Sequence, residues 1–359
     1  MKHRQRTWMF AALVAAFAAA ALSASPAGQG QAVRGGPMKD AALIVGNFQP
    51  MGATDGILRY DGAGRFLDSM VPVGTAGLLG PCCAVFGPDE NLYASNAPGG
   101  NVLRFNGVTG AFIDEFIPAG TGNLLFPVWM VFHSDGYLYV GDSLKGSIHR
   151  FDATTGAYVD EFIQGALQGL VPWDPQGFAA GPDGDWYVAA SQGHRVLRYN
   201  GETGAYMGDA VPADSGALGP TGIAFREDGS MLVGFAGTNE IRRYDVSGSG
   251  PAELLGVFVP PGDVSIPVGL TFGPDKNLYV ANAGTAEVLR FDGMTGEFID
   301  AFVEAGAGGL TGPRVLAWKA KTKVCHAPGN GNARPHTLSI GYLSAFDHLE
   351  HGDTLGPCR

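Results

Sequence analysis

The stretch Pro267-Val-Gly-Leu-Thr-Phe-Gly-Pro-Asp-Lys-Asn-Leu-Tyr-Val-Ala-Asn282, followed by Val288-Leu-Arg-Phe-Asp292 and Thr295-Gly-Glu-Phe-Ile-Asp-Ala-Phe-Val303, holds four short apolar runs separated by turn chemistry. Proline suits the first residue of a strand, where no ladder N–H is required. Gly-Pro-Asp-Lys and Met-Thr-Gly-Glu are tight-turn sequences, and the runs between them are β-branched and aromatic, so each unit predicts four antiparallel strands. The same unit opens at Pro81, Pro127, Pro175 and Pro220, at intervals of 45 to 48 residues, and a sixth opening, Pro313-Arg-Val-Leu-Ala-Trp318, breaks off. At the other end Leu43-Ile-Val45 and Ile57-Leu-Arg-Tyr-Asp61 match the later runs of the unit but lack its opening. The two fragments complete each other only if the ends of the chain meet.

Six four-stranded units of this size predict an all-β fold, a six-bladed β-propeller closed by pairing of its N- and C-terminal strands. Closure of residues 313–318 beside residues 43–71 pairs edges that would otherwise invite aggregation. The predicted organisation is a signal peptide over 1–27, a linker over 28–40, the propeller over 41–322 and a small Cys/His-rich module over 323–359. Lys2, Arg4 and Arg6 precede an apolar run, Trp8 to Ala21, and small residues follow, which is the pattern of a secretory signal. That run is shorter than the ~20 residues that span a bilayer.

The 359 residues carry 23 Lys+Arg against 34 Asp+Glu, a net charge of −11. Residues 1–27 hold three of the basic side chains and none of the acidic ones, so the exported chain would carry 20 against 34, or −14. Such a balance argues against nucleic acid and anionic lipid as partners. Hydrophobic residues at 45% exclude a disordered chain. The expected product is a secreted monomer without a membrane span, its cysteines in a disulfide-permissive compartment.

The pattern Pro-x-Gly-Leu-x-Phe-Gly-Pro-Asp-x-Asn-Leu-Tyr-Val-Ala-Asn…Val-Leu-Arg-Phe-Asp resembles bacterial NHL repeats and the related lactonase and streptogramin-lyase propellers, over residues 41–322. The resemblance implies the fold and leaves three activities open: lyase, lactonase or interaction module.

Repetition sorts structural from functional residues, because a single site must break the symmetry. Arg59, Arg104, Arg150, Arg198, Arg243 and Arg290 occupy one equivalent position, and Asp89, Asp135, Asp183, Asp228 and Asp275 occupy one turn. Both sets are expected to serve the blades. Asn47, Asn96, Asp142 and Asn282 close the second strand of their units, where they would hold the following loop or, in some related enzymes, ligate Ca²⁺ or Mg²⁺. Strict alternation puts the second and fourth residues after each opening proline on the channel side. Around the ring the second position reads Val315, Cys83, Trp129, Gly177, Gly222 and Gly269, half bulky and half bare, with no carboxylate or histidine. The channel mouth, with Cys83, Trp129 and the loop residues Asn47, Asn96, Asp142, His194 and Asn282, is therefore expected to bind a protein, glycan or small ligand without catalysis. The enzymatic alternative, a metal-dependent lyase or lactone hydrolase, would draw on His194, Asp142, Glu240 and Asn282 from the loops. His149, in place of a repeated leucine, is expected to be packed.

Cys82 and Cys83 are adjacent in a first strand, where they would be either a strained vicinal disulfide or two small buried residues. Cys325 and Cys358 bracket the tail, and their pairing would staple it, contributing about 4 kcal/mol in the chain-entropy model. The tail resembles a small Cys-His module found at the ends of secreted bacterial proteins. It concentrates His326, His336, His348 and His351, with Asp353 nearby, into a candidate Zn²⁺ or Cu²⁺ site. The alternative is a set of histidines hydrogen-bonded to the module's own loops.

Overall fold

Period-two alternation and turn residues at each boundary dictate short antiparallel strands. In the computed structural model, residues 38–48, 56–165, 170, 174–326, 335–351 and 353–358 are described. The predicted signal peptide and all but the last residues of the predicted linker lie outside them. Strands β1 (Ala42–Asn47), β2 (Gly56–Asp61) and β3 (Phe66–Val71) come first. Four complete sets follow: β4 (Pro81–Phe86), β5 (Leu92–Asn96), β6 (Asn101–Phe105), β7 (Phe112–Ile117); β8 (Pro127–Phe132), β9 (Tyr137–Asp142), β10 (Ser147–Asp152), β11 (Tyr158–Ile163); β12 (Gly177–Ala180), β13 (Trp186–Ala190), β14 (Arg195–Tyr199), β15 (Tyr206–Val211); β16 (Pro220–Phe225), β17 (Met231–Phe235), β18 (Glu240–Asp245), β19 (Glu253–Val259). A fifth is β20 (Pro267–Phe272), β21 (Leu278–Asn282), β22 (Glu287–Phe291) and β23 (Phe298–Val303). Each set forms one four-stranded antiparallel sheet.

The sixth sheet joins the two ends of the repeat region. Strand β24 (Pro313–Lys319) pairs antiparallel with β1, setting Trp318 opposite Leu43 and Leu316 opposite Val45, in the order β24-β1-β2-β3. The first strands are neighbours in turn, β24 with β4, β4 with β8, β8 with β12, β12 with β16, β16 with β20 and β20 with β24. The apolar cores lie between these sheets, filled by residues such as Met130, Phe178 and Ile223 three positions after the opening proline.

The repeated arginines serve the sheets, as their symmetry implies. Arg104, Arg150 and Arg290 pair with Asp114, Asp160 and Asp300 directly across on the fourth strand, and Arg59 pairs with Asp68. Arg198 and Arg243 face Gly208 and Gly256 there instead. With no carboxylate opposite, they turn to the turn aspartates, at 2.7 Å from Asp183 and 2.9 Å from Asp228. In four sheets the turn aspartate also accepts the hydroxyl of a second-strand tyrosine: Tyr93 on Asp89, Tyr139 on Asp135, Tyr187 on Asp183 and Tyr279 on Asp275.

After Ala320 the chain enters a separate three-stranded sheet of β25 (Lys321–His326), β26 (His336–Gly341) and β27 (Thr354–Leu355), with helix α1 (Ala345–Glu350) between the last two. Cys325 and Cys358 are joined by a disulfide. This module is docked rather than loose. Val324, Tyr342 and Ala345 share a buried cluster with Ala42 and Val108 of the first two sheets. The Tyr342 hydroxyl donates to the Gly107 carbonyl at 2.7 Å and accepts from Arg59 Nη1 at 3.2 Å, and Arg59 lies 4.6 Å over the Phe346 ring. Among the described residues no helix is long and apolar enough to cross a membrane.

Candidate functional site

The end of the first strands, just after the opening prolines, departs from simple alternation. Pro81 opposes Asn96 but Ala84 opposes Ala94, and the same slip recurs at Pro220/Ile223, Pro267/Leu270 and Pro313/Leu316. A bulge here sets two residues against one and reverses which side chains face inward. The first residue after proline, not the second, therefore lines the recess: Cys82, Val128, Gln176, Val268 and Arg314 converge there. Trp129 joins them because the slip in its sheet falls one residue earlier, between Pro127 and Trp129.

This corrects the sequence expectation for Cys83. Its side chain is fully buried between sheets, with Sγ 3.9 Å from the Met130 carbonyl, and burial pushes its thiol up to about 12. It is not at the mouth, and it is not a thiolate at neutral pH. The glycines at that position are not a bare half of the mouth either. A Cβ on Gly177, Gly222 or Gly269 would lie 2.3–2.4 Å from the carbonyl oxygen of Thr221, Val268 or Arg314 on the adjacent first strand. Glycine is required there because neighbouring backbones touch. Cys82 and Cys83 are both buried thiols, so the vicinal disulfide is replaced by the two-small-residues reading.

Around the recess the surface is unequal. Two residues before the opening proline, Leu79, Leu125 and Leu218 are exposed, whereas the last two repeats carry Ser265 and Thr311. Arg314 supplies a cation, its guanidinium 5.4 Å over the Phe48 ring. Arg314, Val128, Gln176 and Val268 escaped the sequence reading. The signal available was the extra residue between each proline and the apolar alternation, which marks a bulge.

The four residues that close the second strands, read as loop holders or metal ligands, are engaged by the backbone. The Asn47 amide oxygen accepts the N–H groups of Thr311 and Gly312 at 3.0 and 2.9 Å, and Asn96 accepts that of Leu79 at 2.9 Å. Asn282 accepts from Ser265 at 2.6 Å. The Asp142 carboxylate accepts from Leu125, Phe126 and Leu144 at 2.8, 3.2 and 3.1 Å, and burial raises its carboxyl pKa against those donors. In each case the side chain latches the loop that leads into its own sheet's first strand. His194 does the same for the next sheet, its Nδ1 accepting from Gly219 N–H at 3.1 Å, and Glu240 pairs with Arg242 at 2.9 Å. His149 is packed, its Nε2 2.9 Å from Ser147 Oγ.

In the module, three of the five predicted ligands do meet. His326 Nδ1 lies 2.8 Å and His348 Nδ1 2.7 Å from one oxygen of the buried Asp353 carboxylate. These side chains are the group of three or more His, Cys, Asp or Glu found close enough to share an ion among the described residues. The exposed His336 is paired across the strands with His326, their rings 5.3 Å apart, and His351 is exposed and outside the group.

No protein-family model matches the chain, and no curated protein matches it in sequence. Solved structures do match. A nidogen/laminin complex aligns with a TM-score of 0.59 at 15% identity, covering 77% of this chain and 98% of that one. A protein of unknown function from Bacteroides caccae gives 0.56 at 12% identity with the same coverage. A candidate gluconolactonase gives 0.53 at 14% identity over 69% of this chain and 81% of that one. At these identities the likeness is one of fold: the chain has a β-propeller fold.

Proposed function

We propose that the chain is a secreted six-bladed propeller that acts as a non-catalytic binding module, taking a protein, glycan or small ligand on the face where the first strands begin. The six sheets, the cyclic order of their first strands and the β24–β1 pairing support the blade count and its closure. Fold relatives include both a protein complex and a candidate lactonase, so the fold leaves the choice open and the side chains must decide it.

The observation that carries the reading is the contrast on that face. Leu79, Leu125 and Leu218 stand exposed round a recess holding Trp129, Val268 and Arg314, while Asp142, Asn282 and His194 spend their acceptor atoms on loop N–H groups. An aromatic and an arginine in an apolar setting are the residue types that dominate binding energy at interfaces. A hydrolase would need its base and metal ligands available to substrate.

Two experiments test it. Binding of the exported chain to an extracellular-protein panel and a glycan array should yield ligands whose capture drops at least roughly tenfold in Trp129→Ala or Leu125→Lys. Turnover of aliphatic or aromatic lactones in the presence of Ca²⁺ or Mg²⁺, abolished by Asp142→Asn, would replace the binding reading with the enzymatic one.

A further inference from the structure

We infer that His326, His348 and Asp353 form a binding site for one divalent transition-metal ion, Zn²⁺ or Cu²⁺, independent of the propeller face. The three residues come from separate pieces of chain: the last residue of β25, the helix α1, and the residue just before β27. The disulfide between Cys325 and Cys358, whose Cα atoms are 4.7 Å apart, fastens the strand that carries His326 to the end of the segment that carries Asp353. It also removes both thiolates from competition, leaving a donor set of two imidazole nitrogens and one carboxylate oxygen. That set suits zinc and copper better than calcium or magnesium, which prefer oxygen alone.

The geometry is close to what an ion requires. One ligand atom from each residue lies within 4.8 Å of the others. An ion bonded to three donors at roughly 2.0–2.1 Å in a tetrahedral site holds them roughly 3.3 Å apart. Small side-chain rotations bridge the difference. The Nδ1 atoms of both rings already converge on Oδ2 of Asp353, so the atoms joined by these hydrogen bonds are the atoms that would share the ion. The Asp353 side chain is 2% exposed, whereas the imidazoles of His326 and His348 are about one-third exposed, at 34% and 31%. The carboxylate is thus fixed from within and the rings leave a path from solvent, with a fourth coordination position open to water. The exposed His336, ring to ring with His326, borders that opening.

The test uses the intact exported chain with its disulfide formed. Equilibrium dialysis against ZnCl₂ and CuCl₂, with metal counted by mass spectrometry, should find about one ion per chain at micromolar free metal. His348→Gln and Asp353→Asn should each weaken binding by roughly 100-fold, and His351→Gln should leave it unchanged. The electron paramagnetic resonance spectrum of the Cu²⁺ form should show coupling to two imidazole nitrogens, a reading that needs no variant to fold. A wild-type chain that takes up no stoichiometric metal overturns the inference. So does uptake that persists in the His326→Gln/His348→Gln double variant, or a Cu²⁺ spectrum without nitrogen coupling.

Discussion

His149 stands where four other repeats carry Leu58, Leu103, Leu197 and Leu289. Burial pushes its pKa down to about 4, and its Nδ1 has no hydrogen-bond partner among the described residues. A histidine whose folded pKa lies below its unfolded value of about 6.5 binds its proton more readily in the unfolded chain. Its contribution is therefore complete above about pH 6.5 and is lost as pH falls towards 4, by on the order of 3 kcal/mol. Chemical denaturation of wild type and His149→Leu at pH 7, 5.5 and 4.5 should show the acid-dependent loss shrinking in the variant. The slope with pH, rather than the absolute stability, is the quantity to compare, because Ser147 loses its partner in the variant. Asn47 makes a second residue-level prediction. Removing its amide in Asn47→Ala leaves the N–H groups of Thr311 and Gly312 without that acceptor, at a cost of about 1–3 kcal/mol in urea unfolding. An unchanged midpoint would show that water replaces the latch.

At the scale of elements, the module is held to the repeats by one polar hub in an apolar seam. Tyr342 is fully buried, and its hydroxyl joins Gly107 on one sheet to Arg59 on another. Tyr342→Phe keeps the ring against Phe86 but leaves the Gly107 carbonyl without that donor, and is expected to cost about 1–3 kcal/mol. Hydrogen exchange should localise the loss to β25, β26 and α1. Loss spread evenly over the six sheets would mean the hub serves the whole fold instead. The outer strands make a different point. Each exposes two consecutive large residues, such as Phe112-Ile113 and Phe298-Ile299. Their symmetry marks them as a feature of the blade rather than as a site.

For the whole molecule, closure rests on β24, because it is the one first strand whose sheet partners come from the far end of the chain. A chain ending at Lys319 keeps that strand and loses the module seam. A chain ending at Gly312 loses both and exposes β1 as an unpaired edge. Thermal melting and gel filtration should rank full length above the Lys319 form, with the Gly312 form aggregated or unfolded. A monomeric, cooperatively melting Gly312 form would show that closure contributes little.

The residues of one repeat, read against the other five, were sufficient for the strands, their turns, the assignment of the six arginines to the blades and the meeting of the two ends, because each of these is set by local pattern repeated at a fixed interval. Three things waited for the tertiary structure. The bulge after five of the six opening prolines moved the recess from Cys83 to Cys82, Val128 and Arg314, since one extra residue changes the face taken by the residues on its proline side while the core positions beyond it keep theirs. The latching of Asn47, Asp142 and Asn282 onto loop N–H groups separated loop anchors from metal ligands of the same residue type. The meeting of His326 and His348 on Asp353 depends on where a strand, a helix and a disulfide bring three side chains that no repeat relates. Sequence periodicity determines what recurs, and a site that occurs once is decided by how the unrepeated pieces pack.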